Sequence, residues 1–260
     1  MKKRKRKSNL KRSFLEAKYK KLRSKLTEPF VLDIIGNMIK IVEGDLKVTF
    51  NRSDKQFLVD AAYVEYSLLN KEVSNISDET DLYNVMSNAY QRLDATISGI
   101  LSDVGAKVSC SKGCSYCCHQ HIGVTVPSLL MLVKHIDKSC LNNINDFMDY
   151  EKPCVFLKNG SCSIYSDRPF ACRSFFSVKP ALDCKKTYID LKPQLKNNMP
   201  AIVRAYEELM DSITDFVFDS YGYQRIYNQN MIELIKVYFE NESFMKKWLN
   251  KENIEYGSNI

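Results

Sequence analysis

A mainly α fold is predicted here: a helical body holding a small cysteine-rich subdomain with one β-hairpin. Three observations predict it. Apolar residues recur at helical spacing over most of the 260-residue chain. The cysteines and all three histidines are confined to residues 110–184. Asn159-Gly160 stands between two apolar runs, the pattern of a tight hairpin. With 45% apolar and 27% charged residues, and few Gly or Pro, collagen-like and low-complexity classes are excluded.

The elements follow in order. Residues 1–25 carry 13 Lys or Arg against Glu16 alone, a charge of +12, while the whole chain is +7. The other 235 residues therefore sum to −5. Lys2 to Lys7 is an unbroken cationic run, so residues 1–28 read as a disordered or partly helical basic tail. Leu10, Phe14, Tyr19, Leu22 and Leu26 form a stripe that Glu28-Pro29 interrupts. Residues 29–109 read as a helical N-terminal region. Val31, Ile35, Met38 and Val42 fit one helix, and Leu46 to Phe50 alternate like a short strand. Asp54–Val73 returns to helical spacing, and residues 70–81 are a polar connection. Leu82 to Val104 is the cleanest amphipathic stripe, closed by Gly105.

The cysteine-rich region, residues 110–184, contains a helix expected from about Pro127 to Tyr150, with His135 in its middle. The C-terminal region, residues 185–260, contains helices expected over Ile202–Val217 and from about Asn228 to Leu249. No run of about 18 apolar residues exists, so no transmembrane helix is expected. No apolar run follows the basic N-terminus, so no secretory signal is read and a cytoplasmic location is expected. Nine cysteines in such a chain favour thiol or metal chemistry over a disulfide framework.

The first cluster is Cys110-x3-Cys114-x2-Cys117-Cys118, followed by His119 and His121. Cysteines two or three residues apart can turn their sulfurs onto one centre if the chain reverses between them. Gly113 supplies the freedom for that turn. Zinc and iron–sulfur sites both use such spacings. Cys117 and Cys118 are neighbours, whose side chains diverge in regular structure, so they are open to different roles. The two histidines read either as a pair of loop residues or as the source of one neutral imidazole ligand, which suits zinc.

The second cluster holds Cys154, Cys162 and Cys172. A two-residue hairpin loop pairs Leu157 with Cys162 and puts Cys154 on the opposite side from Cys162. A bulged loop or a broken strand is needed for those two to share a centre. Pro169 starts a turn that presents Cys172. Arg168 and Arg173 flank Cys172, either as cations that favour its thiolate or as surface ion pairs. Tyr165 reads as packing. Cys140 reads as a structural thiol in the 127–150 helix, and Cys184 as a candidate extra ligand.

The motifs C-x3-C-x2-C-C, P-C-x-F-L, x-G-x-C-x-I-Y and R-P-x-x-C-R together resemble the cysteine-cluster (CxxCxxCC-type) family of zinc- or iron-chelating proteins. The likeness covers residues 110–175, about a quarter of the chain, although the first spacing here is x3 where the family name writes x2. It implies that Cys110, Cys114, Cys117, Cys118, Cys154, Cys162 and Cys172 bind zinc or iron, with a 4Fe–4S cluster among the choices. It does not extend to Cys140 or Cys184, and it implies no settled reaction.

The cluster is also similar to that of flagellin lysine-N-methylases, which implies an iron–sulfur enzyme acting on protein lysines with S-adenosylmethionine. No G-x-G-x-x-G after a strand supports a Rossmann-type methyltransferase, and no βα repeat surrounds the C-x3-C-x2-C spacing that radical enzymes use. No catalytic motif is identified. A further alternative is a zinc-stabilised nucleic-acid-binding module, its tail at residues 1–25 contacting nucleic acid or another acidic surface weakly and without specificity.

Overall fold

The computed structural model describes residues 29–110, 113–120, 122–136, 153–178, 200–226 and 230–255. The basic tail, His121, Cys140 and Cys184 lie outside these residues. Among the described residues the protein is mainly helical, with one two-stranded hairpin. The helices are α1 (Pro29–Leu46), α2 (Arg52–Val73), α3 (Glu79–Val104), α4 (Val126–Val133), α5 (Phe170–Ser174), α6 (Ala201–Ser220), α7 (Met231–Glu240) and α8 (Phe244–Leu249). The strands are β1 (Leu157–Lys158) and β2 (Ser161–Cys162). No described helix is long and apolar enough to cross a membrane.

The helices start and stop where side chains satisfy their loose backbone groups. Asn51 accepts the Asp54 N–H at 2.9 Å at the head of α2, and Asp78 accepts the Asp81 N–H at 2.9 Å at the head of α3. Gly105, at φ +66°, closes α3 in the left-handed conformation, as the sequence predicts. Asn230 and Glu233 form a capping box on α7.

Helix α6 is the hub. Val203, Tyr206, Leu209, Met210, Ile213 and Val217 are almost wholly buried along it. Helices α1 and α2 pack on α6 and on each other, and α3 packs on α2 and α6. The short α5 lies against α6 and α3, and α4 sits between α3 and α7. These contacts fix α4 and α5, both within the cysteine-rich region, onto one apolar core.

Four expectations are corrected. The strand read at Leu46–Phe50 does not form, since α1 runs through Leu46. The Glu43 carboxylate takes the Phe50 N–H at 2.7 Å and the Lys55 ammonium at 2.9 Å, tying the return without a partner strand. The polar connection shortens to residues 74–78, because the Asp78 cap starts α3 early. The helix expected to Tyr150 stops at Val133. Lys134 and His135 turn toward Asp167, whose carboxylate lies 3.1 Å and 2.7 Å from them, so His135 sits past the helix end. The last helix divides at residues 241–243, where Ser243 adopts φ +60°. On α8, Trp248 stacks on Tyr223 at 4.6 Å and donates its indole N–H to the Gln224 carbonyl at 2.9 Å.

Glu207 of α6 is 4% exposed, and burial, reinforced by Asp211, pushes its carboxyl up to about 8. Asp215 is pushed up to about 6, again by burial, against the opposing Arg225. Groups whose folded pKa exceeds the unfolded value hold extra protons in the folded state, so stability falls as pH rises through that window. The melting temperature is therefore expected to drop between pH 5 and pH 8, by about 5 °C. Glu207→Gln should flatten that slope, and thermal melts across the range check it.

Candidate metal centre

The first cluster is a tight reversal of the chain. Gly113 takes φ +90°, a conformation open to glycine, and a 3-10 turn follows over Tyr116–His119. That turn changes the expectation for Cys117 and Cys118. Instead of diverging, both line the same cavity, and the two thiols are hydrogen-bonded.

The second cluster folds around the predicted hairpin in its two-residue form. Leu157 pairs with Cys162 and Lys158 with Ser161, while Asn159 and Gly160 take φ +51° and +72°. Both positive values are those of the tightest hairpin turn. The strands are only two residues long. A turn from Cys154 to Leu157, closed by a 2.8 Å backbone bond, breaks the strand on the Cys154 side. The broken strand is the alternative that lets Cys154 and Cys162 face one space. Pro169 then opens α5, which carries Cys172.

The clusters are clipped together through the backbone. The Cys154 N–H donates to the Cys118 carbonyl at 2.7 Å, and the Ser109 N–H donates to the Ser177 carbonyl at 2.7 Å. The Ser177 N–H reaches the Cys110 sulfur at 3.4 Å. The Met231 N–H donates to the Ile122 carbonyl at 2.8 Å, joining the end of the first cluster to α7.

The result is a cavity of about 490 Å³ lined by Cys114, Cys117, Cys118, Cys154, Cys162 and Cys172. Six thiols from two segments of sequence share one wall. Cys110 lies instead in an adjoining cavity that Cys114 and Cys117 also line. His119 is not part of the first cavity, whereas Gln120 is. Sequence reasoning missed the apolar walls supplied by Ile122, Phe175 and Met231, for which no motif gives a signal. Among the described residues, no three His, Cys, Asp or Glu side chains meet closely enough to hold an ion. The thiols line the cavity rather than converging at a point.

The electrostatics are those of crowded, half-buried thiols. The hydrogen bond to Cys118, then burial, raise the Cys117 thiol far above its ordinary value. Burial pushes Cys154 up to about 11, with the charges of Cys162 and Cys117 adding to it. Burial raises Cys162 and, much more strongly, Cys172, where Cys154, Cys117 and Cys162 all contribute. A bound cation reverses this logic, since it stabilises the thiolates that the cavity otherwise disfavours. Two backbone N–H groups already suit thiolates: that of Phe156 on Cys154 and that of Ile164 on Cys162. The donor set therefore fits a thiophilic metal.

The two arginines divide the roles that the sequence left open. Arg168 lines the cavity and favours the thiolates of Cys117, Cys162 and Cys172. Its guanidinium lies 3.8 Å from the centroid of Tyr165, which is 64% exposed rather than packed as expected. Arg173 is a buried clamp. It pairs with Asp94 of α3, donates to the carbonyls of Arg168 and Ser166, and lies over the Tyr90 ring at 4.2 Å. Arg173→Leu is expected to cost about 2 kcal/mol by stranding those acceptors. Asp94→Asn should cost less, because Asp94 is half-exposed. Denaturant melts of the two variants check the order.

Comparison with curated proteins gives no match, and comparison with solved structures gives none. Residues 109–197 match the CxxCxxCC family model, described as "Putative zinc- or iron-chelating domain", which spans both cysteine clusters and is the family the sequence motifs resemble.

Proposed function

We propose that the protein chelates zinc or iron in the thiol-lined cavity. Cys114, Cys117, Cys118, Cys154, Cys162 and Cys172 form the ligand pool, and Cys110 joins from the adjoining side of the wall. The observation that carries this reading is the gathering of six thiols from two sequence-distant segments around one enclosed space. The family match over the same residues supports it.

An iron–sulfur cluster is the favoured occupant, because among the described residues no His, Asp or Glu lines the cavity beside its six cysteines. All-thiolate zinc sites use the same donors and make the second reading. Iron held by these thiols would supply electron transfer or Lewis acidity, whereas zinc would staple the two segments. The residues themselves bind, exclude water through Ile122, Phe156 and Phe175, and offset thiolate charge through Arg168.

The absorption spectrum of anaerobically prepared protein separates the two. Broad absorption near the blue end of the visible range, with acid-labile sulfide, is expected for iron–sulfur. A colourless protein with zinc alone selects the staple. A preparation lacking both metals contradicts the proposal.

A further inference from the structure

The thiol-lined cavity shares a wall with a second cavity of about 500 Å³. Cys114, Cys117, Tyr165, Arg168 and Phe175 belong to both. The far side of the second cavity is one face of α3, with Ile97 and Leu101 as apolar floor and the exposed Ser98 at its edge. Its volume is that of a small-molecule site, and its lining is divided between an apolar part and a polar, charged part.

Its charges are three: Asp94, Arg168 and Arg173. Asp94 and Arg173 are paired with each other, and the remaining donors of Arg173 go to backbone carbonyls. Arg168 is different. Its Nε donates to the Tyr165 carbonyl at 3.2 Å, and the Tyr165 ring supports the guanidinium face. These contacts fix the plane of the fork. Both Nη groups have no hydrogen-bond partner among the described residues. A fixed guanidinium edge whose two amino groups have no partner among the described residues is the geometry that grips an oxyanion in two places.

We propose that the second cavity binds a small organic oxyanion, a carboxylate or phosphate on an apolar body. Arg168 grips the oxyanion and the body lies along Ile97 and Leu101. The inference rests on the metal-centre reading only in placing that molecule beside a metal site; the pocket itself is built by protein groups. Bound there, the molecule would abut the wall of Cys114 and Cys117.

The test is calorimetric titration of the full chain, as purified with its metal, with benzoate and with phenyl phosphate at low salt. Saturable one-to-one binding of at least one probe is expected, and which one binds identifies the oxyanion. Arg168→Gln should weaken it at least about tenfold, and Arg168→Lys, which keeps the charge but loses the fork, should fall between. Ser98→Trp keeps Arg168 and projects a ring from an exposed helix position into the cavity. It should weaken binding to a similar degree with metal per chain unchanged, which guards against misfolding of the Arg168 variants. No saturable heat from either probe, or wild-type binding in both Arg168→Gln and Ser98→Trp, overturns the proposal. A wild-type chain free of metal that still binds a probe through Arg168 supports the pocket and overturns the metal-centre reading instead.

Discussion

Exchanging Cys117 for serine is expected to lower metal affinity on the order of a hundredfold, the largest effect of any single substitution in the chain. Cys117 lines both cavities, is hydrogen-bonded to the Cys118 thiol, and acts electrostatically on Cys154, Cys162 and Cys172. Serine keeps the shape but its hydroxyl does not readily ionise, so one metal bond is lost. Structural metal binding is worth roughly 10–16 kcal/mol over a full ligand set, so a single ligand accounts for a few kcal/mol. Cys172→Ser should approach the same loss, because Cys172 lines the cavity from α5, where the clamp of Arg173 holds the helix in place. Cys140→Ser is the control. Cys140 lies outside both motifs, and metal per chain should match wild type. Metal retained in Cys117→Ser, or lost equally in Cys140→Ser, contradicts the ligand assignment.

Acid is expected to empty the centre over a narrow range of pH. Cys154 rests at about 11, and Cys117, Cys162 and Cys172 are all raised. At neutral pH these four metal-free thiols are therefore protonated, and each must release a proton to bind the metal. Apparent affinity then falls about tenfold per pH unit for every thiol released, or on the order of ten-thousandfold per unit for four. The sign is opposite to that of the carboxylates on α6, where lower pH stabilises the fold. Metal loss and helix stability should consequently move apart below pH 6. Proton release on metal addition in weak buffer measures the count directly. Release of fewer than two protons per metal would show that thiolates are not the main ligands.

How far the sequence announced these features depended on the physics behind each signal. The helices were legible because burial imposes a period on apolar residues, as along Leu82–Val104, and because Gly105 marks an end. The hairpin was legible because Asn-Gly tolerates two positive φ angles in succession. The strand misread at Leu46–Phe50 had the right alternation but no partner, and pairing is a tertiary property. The early end of α4 depends on Asp167, 32 residues downstream of His135, which no local pattern shows. The same holds for the site. Spacing gave the cysteines, but the sharing of one cavity by Cys154 and Cys162 depends on a turn that breaks the strand. The division of labour between Arg168 and Arg173 was not legible, because it rests on the distant Asp94 and Tyr90 of α3.

The central claim is that two cysteine clusters form one metal-binding centre. Its most direct test is elemental and sulfide analysis of protein purified without oxygen, for wild type, Cys117→Ser and Cys172→Ser side by side. The account predicts stoichiometric iron with sulfide, or stoichiometric zinc, in wild type. It also predicts that a substitution in either cluster depletes the same metal. Trace metal in wild type, or depletion from one cluster that leaves the metal of the other intact, would contradict it.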